Sequence, residues 1–250
     1  MLLIALGAIV ALAWWFLWLG AGMGMPASEM TAALLFPHRY PGPPGDMNAT
    51  WQIVLAMWWV MMIAMMTPAA LPLVALYRRV LVHHRTPGWQ VDGSSALLFA
   101  GYAGTWLAFS ALATAVQFAL QPAGFLSDMT LWSRSRWLSA LVLAAAGGYQ
   151  FSPWKQLCLS RCRNPASYLT RFAQHGALGA LRLGVRHGAY CVGCCGLLMA
   201  LLFVGGVMNL IWIAALSALV LCEKLLPGEQ LTARVTGTLL LVWAAATLVV

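Results

Sequence analysis

Two groups of cysteines supply the side chains best suited to chemistry in this sequence. Cys158 and Cys162 stand four residues apart in KQLCLSRC, and Cys191, Cys194 and Cys195 stand in CVGCC. Residues three or four positions apart share one face of a helix, so each group would present its sulfurs to one side. Reduced thiols at one depth suit a soft metal such as Cu(I), Zn(II) or an iron–sulfur cluster. We therefore predict that a cysteine of the first group lies near one of the second, with sulfurs roughly 4 Å apart.

Other residues around these cysteines allow mixed ligation, and a simpler interpretation also exists. His175, His187 and Glu223 are candidate additional ligands, and Cys222 adds a sixth thiol. The alternative is that the cysteines are small apolar residues packed between helices. The concentration of five cysteines between positions 158 and 195 favours metal or thiol chemistry over packing alone.

A run of methionines is the second soft-ligand feature. Met57, Met61 and Met65 recur every four residues, and Met62 and Met66 form an adjacent stripe. Thioethers are neutral soft ligands that suit Cu(I) and are poor ligands for Zn(II). Methionine is also an ordinary filler of helix cores, so a copper role requires at least one stripe to face the bundle interior. Further methionines stand in the segment after the first apolar run and in later apolar segments: Met23, Met25, Met30, Met199 and Met208.

The elements that carry these side chains are far more apolar than soluble domains. Of 250 residues, 62% are hydrophobic and 8% are charged, and the mean hydropathy is +0.81. Soluble domains carry about 25% charged residues, so a soluble enzyme, a disordered chain and a nucleic-acid-binding domain are excluded. Long uninterrupted apolar runs also exclude a β-barrel. The composition predicts an all-α polytopic transmembrane bundle, with residues 1–250 forming a single integral membrane domain.

Seven apolar segments are candidate spans, or six if two of them merge. A span needs about 20 apolar residues. The candidates cover roughly 2–20, 51–77, 95–120, 137–152, 188–204, 208–226 and 232–250. The fifth and sixth share one apolar stretch, in which Gly205 and Gly206 offer a turn.

The distribution of basic residues predicts the orientation. If the N-terminus faces the cytoplasm, the cytoplasmic loops hold most of the 14 Lys and Arg residues, as the positive-inside rule expects. These residues are Arg78, Arg79, Arg85, Lys155, Arg161, Arg163, Arg171, Arg182, Arg186, Lys224 and Arg234. The C-terminus is then outside, and 21–50 form an extracytoplasmic loop. Residues 153–187 form a basic cytoplasmic-side loop with interfacial helices, and the cysteines lie on the reducing side.

Several motifs together resemble a bacterial family of predicted metal-binding integral membrane proteins, a domain of unknown function. The motifs are MWWVMMIAMMTP, GGYQFSPWKQLCLSRCRNP and HGAYCVGCCGLLM, followed by a Gly-Met segment and EK, between about Trp51 and Lys224. The resemblance implies a helical protein of the inner membrane with a metal site. It marks Met61, Met62, Met65, Met66, Pro68, Tyr149, Gln150, Pro153, Lys155, Cys158, Cys162, Arg163, Pro165, Cys191, Cys194, Cys195, Met199, Met208, Glu223 and Lys224.

Three functions remain open at this point. The first is a soft-metal protein, most simply for Cu(I) with zinc as the alternative, that acts in copper delivery, homeostasis or copper-enzyme maturation. Its partners would be the lipid bilayer and a metallochaperone or other membrane subunits, without nucleic acid. The second is a non-enzymatic accessory subunit with structural cysteines or a Zn site. The third is a thiol redox protein, which ranks last because no quinone or nucleotide motif accompanies CVGCC. No catalytic motif is present, so we do not expect an enzyme.

Overall fold

A computed structural model of the chain describes residues 2–21, 31, 50–126, 133, 135–172, 176–226 and 229–249. The regular elements in these residues are helices, and Leu126 and Ser133 form an isolated antiparallel bridge. This confirms the all-α bundle. In chain order the helices are α1 (Leu2–Trp18), α2 (Trp51–His83), α3 (Gly88–Leu120), α4 (Arg136–Gln150), α5 (Pro153–Arg163), α6 (Pro165–Phe172), α7 (Gly176–Ala200), α8 (Leu202–Gly205), α9 (Leu210–Leu225) and α10 (Glu229–Val249).

Fewer helices than expected are long and apolar enough to cross a membrane. In the described part of the chain, four stretches meet this requirement by length and composition: Trp51–His83, Gly88–Leu120, Gly176–Gly205 and Gln230–Val249. The expectation of seven spans, or six, is therefore wrong on this measure. The reason is length, because α1, α4 and α9 have 17, 15 and 16 residues. At a rise of about 1.5 Å per residue they fall short of a hydrocarbon core roughly 30 Å thick.

The start of the fifth expected span also differs. The fifth apolar helix begins at Gly176 instead of about residue 188, so the segment 153–187 comprises α5, α6 and the first three turns of α7. Basic residues such as Arg182 lower the hydropathy there, but they do not prevent helix formation. Most of the expected extracytoplasmic loop 21–50 lies outside the described residues, as do Met23, Met25, Met30 and His175.

The turn at the glycine pair is where the sequence predicts it. Gly206 has a φ of 91°, in the left-handed region that favours glycine. Asn209 then caps α9, because its side-chain oxygen accepts a hydrogen bond from the backbone N–H of Trp212 at 3.2 Å. The chain therefore reverses between α7 and α9, and α9 returns toward the level of the cysteines.

Small residues allow α3 and α7 to approach closely. Gly184 and Gly188 lie four residues apart, on one face of α7. A Cβ on Gly184 would lie 2.8 Å from the backbone carbon of Leu98, and one on Gly188 would lie 2.7 Å from the side chain of Thr105. Small residues spaced in this way permit backbone contact between membrane helices. The close crossing places Tyr102 of α3 beside Cys191 of α7.

Helix α5 is held at both of its ends. At its start, Ser152 accepts a hydrogen bond from the N–H of Trp154 at 3.2 Å, and Pro153 occupies the first helical position. At its end, the guanidinium of Arg163 donates to the carbonyls of Glu223 and Leu226 at 3.0 and 2.5 Å. Basic side chains often bind the last carbonyls of a helix in this way. Helix α5 is thereby fixed against the C-terminus of α9.

Candidate metal centre

Helix α7 presents three buried thiols to the interior. Cys191, Cys194 and Cys195 are at most 1% exposed, as their i, i+3, i+4 spacing predicts for one inward face. The thiols of Cys194 and Cys195 both donate to the carbonyl oxygen of Cys191, at 3.2 and 2.8 Å. All three sulfurs therefore lie within about one turn of the helix.

Helix α5 brings Cys162 onto this face. The sulfurs of Cys162 and Cys194 are 3.9 Å apart. Two sulfurs bound to one metal at about 2.3 Å, with trigonal or tetrahedral angles, would be roughly 3.8–4.0 Å apart. The structure thus brings the two cysteine groups together at a spacing that suits a shared ion.

Cys158 lies one turn earlier and packs against the α7 backbone. A Cβ on Gly193 would be 2.9 Å from its sulfur, so the glycine leaves room for this side chain. Tyr149 donates a hydrogen bond to the carbonyl of Gly193 at 2.6 Å and closes the same side. Burial raises the pKa of the Cys158 thiol.

The methionine stripes of α2 both face the interior. Met57, Met61, Met62, Met65 and Met66 are 0% exposed in the described chain. The sulfur of Met66 lies 3.9 Å from the sulfur of Cys195. The stripe of Met62 and Met66 therefore meets the thiol cluster at Met66. Two other methionines, Met199 and Met208, are also buried in this core.

Tyr102 joins the thiol cluster to α2, and sequence reasoning missed it. Its hydroxyl donates to the carbonyl of Met66 at 2.9 Å and lies 3.1 Å from the sulfur of Cys191. The sequence offers only a weak indication of this role, because a tyrosine in an apolar helix is usually explained by packing. His187 packs between the rings of Tyr102 and Tyr168, at 5.8 and 5.2 Å. Within the described residues, the buried Nδ1 of His187 has no hydrogen-bond partner.

Helix α9 contributes a buried cation and a buried anion. The ammonium of Lys224 donates to the sulfur of Cys191 at 2.8 Å. The carboxylate of Glu223 pairs instead with Lys155 at 2.8 Å and accepts from Gln150 at 3.0 Å. Lys155 also contacts the side-chain oxygen of Gln150. The contacts of Glu223 are thus with a charged cluster and not with the sulfurs, so we leave it out of the candidate ligand set.

The donor atoms that lie closest together in this region are soft sulfurs. Among the described residues, no group of three or more His, Cys, Asp and Glu side chains stands ready to hold a metal ion. Structural Zn(II) sites take four such ligands. The chain offers sulfur pairs instead, Cys162 with Cys194 and Cys195 with Met66, and a thioether next to thiols suits Cu(I).

Comparison with known proteins agrees with this chemistry. A family model described as "PpoB2: Copper chaperone" matches residues 55–247, a range that contains all of these cysteines and methionines. The match confirms the metal-related part of the resemblance drawn from the motifs. No curated protein and no solved structure matches the chain.

Proposed function

The chain belongs to the PpoB2 family of copper chaperones, and from that premise we propose that it is a membrane-integrated carrier of Cu(I). The ion is its cargo and is held by thiols and a thioether in the buried core. Cys162 and Cys194 hold it first, with Cys191 adjacent, and Cys195 and Met66 form a second sulfur pair.

The observation that carries this proposal is the convergence of sulfur ligands from three helices. Helix α5 supplies Cys162, α7 supplies Cys194 and Cys195, and α2 supplies Met66, with sulfur distances of 3.9 Å within both pairs. Unrelated packing would not require two such pairs at adjoining positions. Pairs linked by neighbouring residues of α7 would allow an ion to pass between them by exchanging one ligand at a time.

The methionines of α2 extend this route along the bundle. Met61 and Met65 lie on one stripe and Met62 and Met66 on the other, and all four are buried. Thioethers bind Cu(I) without adding charge, so a series of them can hold a cation in an apolar interior where an unliganded ion would be costly. We propose that copper moves or waits along these stripes before or after it binds the thiols.

The location that we propose is the bacterial inner membrane, with the N-terminus in the cytoplasm. Four long apolar helices and the bias of Lys and Arg residues support it. In this orientation the thiols lie on the cytoplasmic side, where they stay reduced. The partners would be a metallochaperone or an apo copper enzyme, and the role would be delivery, homeostasis or enzyme maturation.

The test is a Cu(I) titration of the purified full chain in detergent, without oxygen, against a chromogenic Cu(I) chelator. We expect tight binding by the native chain and at least a tenfold loss of affinity in the Cys162→Ser/Cys194→Ser double variant. Cys222→Ser is the matched control, because Cys222 belongs to neither sulfur pair, and its affinity should equal the native value. Native chain that binds Cu(I) no better than the double variant would refute the proposal.

A further inference from the structure

A buried lysine lies against the sulfur cluster. Lys224 is 7% exposed, and its ammonium is 2.8 Å from the sulfur of Cys191. Cys191 belongs to the buried cluster of α7 that also contains Cys194 and Cys195, whose thiols donate to the Cys191 carbonyl. The other buried lysine of the described chain, Lys155, is neutralised by Glu223. Lys224 instead has sulfur as its hydrogen-bond partner.

A fixed positive charge at this position discriminates between cations by their charge. An ion bound to Cys191 at about 2.3 Å is within roughly 5 Å of the ammonium, because the sulfur lies between them. The repulsion from Lys224 doubles when the ion is divalent instead of monovalent. The net charge of the complex also differs between the two ions. Cu(I) held by two thiolates has a single negative charge, which one ammonium neutralises, whereas Zn(II) held by two thiolates is already neutral.

From this geometry we propose that Lys224 is a specificity-determining residue, which restricts the site to monovalent soft cations and disfavours Zn(II). The inference rests on the proposed function and adds to it that Cys191 joins the neighbouring thiols in binding the ion. At an effective dielectric constant of about 20 and a separation of about 5 Å, one additional unit of metal charge changes affinity by on the order of 100-fold. Lys224 thus supplies a selectivity that soft sulfur ligands alone do not, because thiolates also bind Zn(II) well.

The test compares the ratio of Cu(I) to Zn(II) affinity between variants of the full chain. Each ion is titrated against a competing chelator at one pH. The protons released on binding are also counted, because each thiol that becomes a thiolate releases one proton, and only complexes with equal numbers of thiolates are compared. We expect Lys224→Met to lower the ratio by on the order of 100-fold. Lys224→Arg keeps the charge and should stay within about threefold of native. Arg79→Met removes an exposed charge at the far end of α2 and should leave the ratio unchanged.

The outcomes distinguish failure of the selectivity role of Lys224 from failure of the proposed copper-carrier function. A native chain that binds Cu(I) and a Lys224→Met variant with an unchanged ratio would overturn the role of Lys224 and leave the proposed function intact. An equal fall in the Arg variant would also overturn it, because the effect would then depend on side-chain fit and not on charge. Native chain that binds neither ion overturns the proposed function itself. Should Lys224→Met not fold, Lys224→Gln removes the same charge with a polar side chain and carries the same expected ratio.

Discussion

Neutralising the buried carboxylate of Glu223 should destabilise the fold strongly. Glu223 and Lys155 form an ion pair at 2.8 Å, with 2% and 1% of their side chains exposed. Glu223→Gln keeps the shape of the side chain and removes its charge. The ammonium of Lys155 is then left buried without a counter-ion. Breaking a buried pair in this way costs about 3–5 kcal/mol of unfolding free energy. Lys155→Met should cost a similar amount, because it leaves the carboxylate unpaired.

Removing both charges should be less costly than removing one. The double variant Lys155→Met/Glu223→Leu leaves no buried charge at this position, and its main loss is the hydrogen-bond partners of Gln150. A buried amide without partners costs about 1–3 kcal/mol. We therefore expect the double variant to be more stable than either single variant, although it carries more substitutions.

The assay is equilibrium unfolding of the purified chain in detergent, with copper content measured in parallel because α5 also carries Cys162. Arg78 and Asp92 provide the matched control, since their side chains form an ion pair at 3.1 Å with 28% and 44% exposed. Asp92→Asn should cost less than about 1 kcal/mol. The reasoning is refuted if Glu223→Gln costs no more than Asp92→Asn, or if the double variant loses the sum of the two single losses.

Three further results are expected. Gly184→Ala should destabilise the chain by about 1–3 kcal/mol, because its Cβ would meet the α3 backbone. Gly104→Ala is the control and should be neutral or stabilising, because its Cβ would have open space. Thermal unfolding of both variants measures the difference. Met61→Leu with Met65→Leu should cost under about 1.5 kcal/mol yet lower bound copper, and an unchanged copper content would remove both residues from the route. A membrane-impermeant thiol reagent should not label intact cells until they are permeabilised, and labelling from outside would invert the proposed orientation.

The positions of the apolar helices could be predicted from the sequence, but their lengths could not. Apolar runs locate a helix because any such segment must bury its surface or enter lipid. Where a helix ends depends on other features. Helix α2 continues past its apolar run through Arg78 and Arg79, and α7 begins twelve residues before its predicted start. At the end of α2, Arg78 pairs with Asp92 of α3, a tertiary contact that hydropathy does not record.

The candidate site was predictable where it depends on helix geometry. Cysteine spacing sets one face of α7, and methionine spacing sets the stripes of α2, because both follow from 3.6 residues per turn. The contacts of Tyr102 and Lys224 with Cys191 were not predictable, since they join positions 89 and 33 residues apart. The ion pair of Glu223 was equally hard to predict. Its rarity as an acidic residue pointed to a ligand, whereas the structure pairs it with Lys155.

The position of the Tyr102 hydroxyl makes this residue a built-in reporter of site occupancy. A phenol has a single proton, while its oxygen lies near two groups, the carbonyl of Met66 and the sulfur of Cys191. A cation that binds the sulfur leaves the carbonyl as the remaining acceptor. The C–O vibration of a phenol depends on how its hydrogen bonds are shared. If copper binds Cys191 as proposed, we expect a difference infrared spectrum between copper-loaded and empty protein to contain a tyrosine band that is lost in Tyr102→Phe.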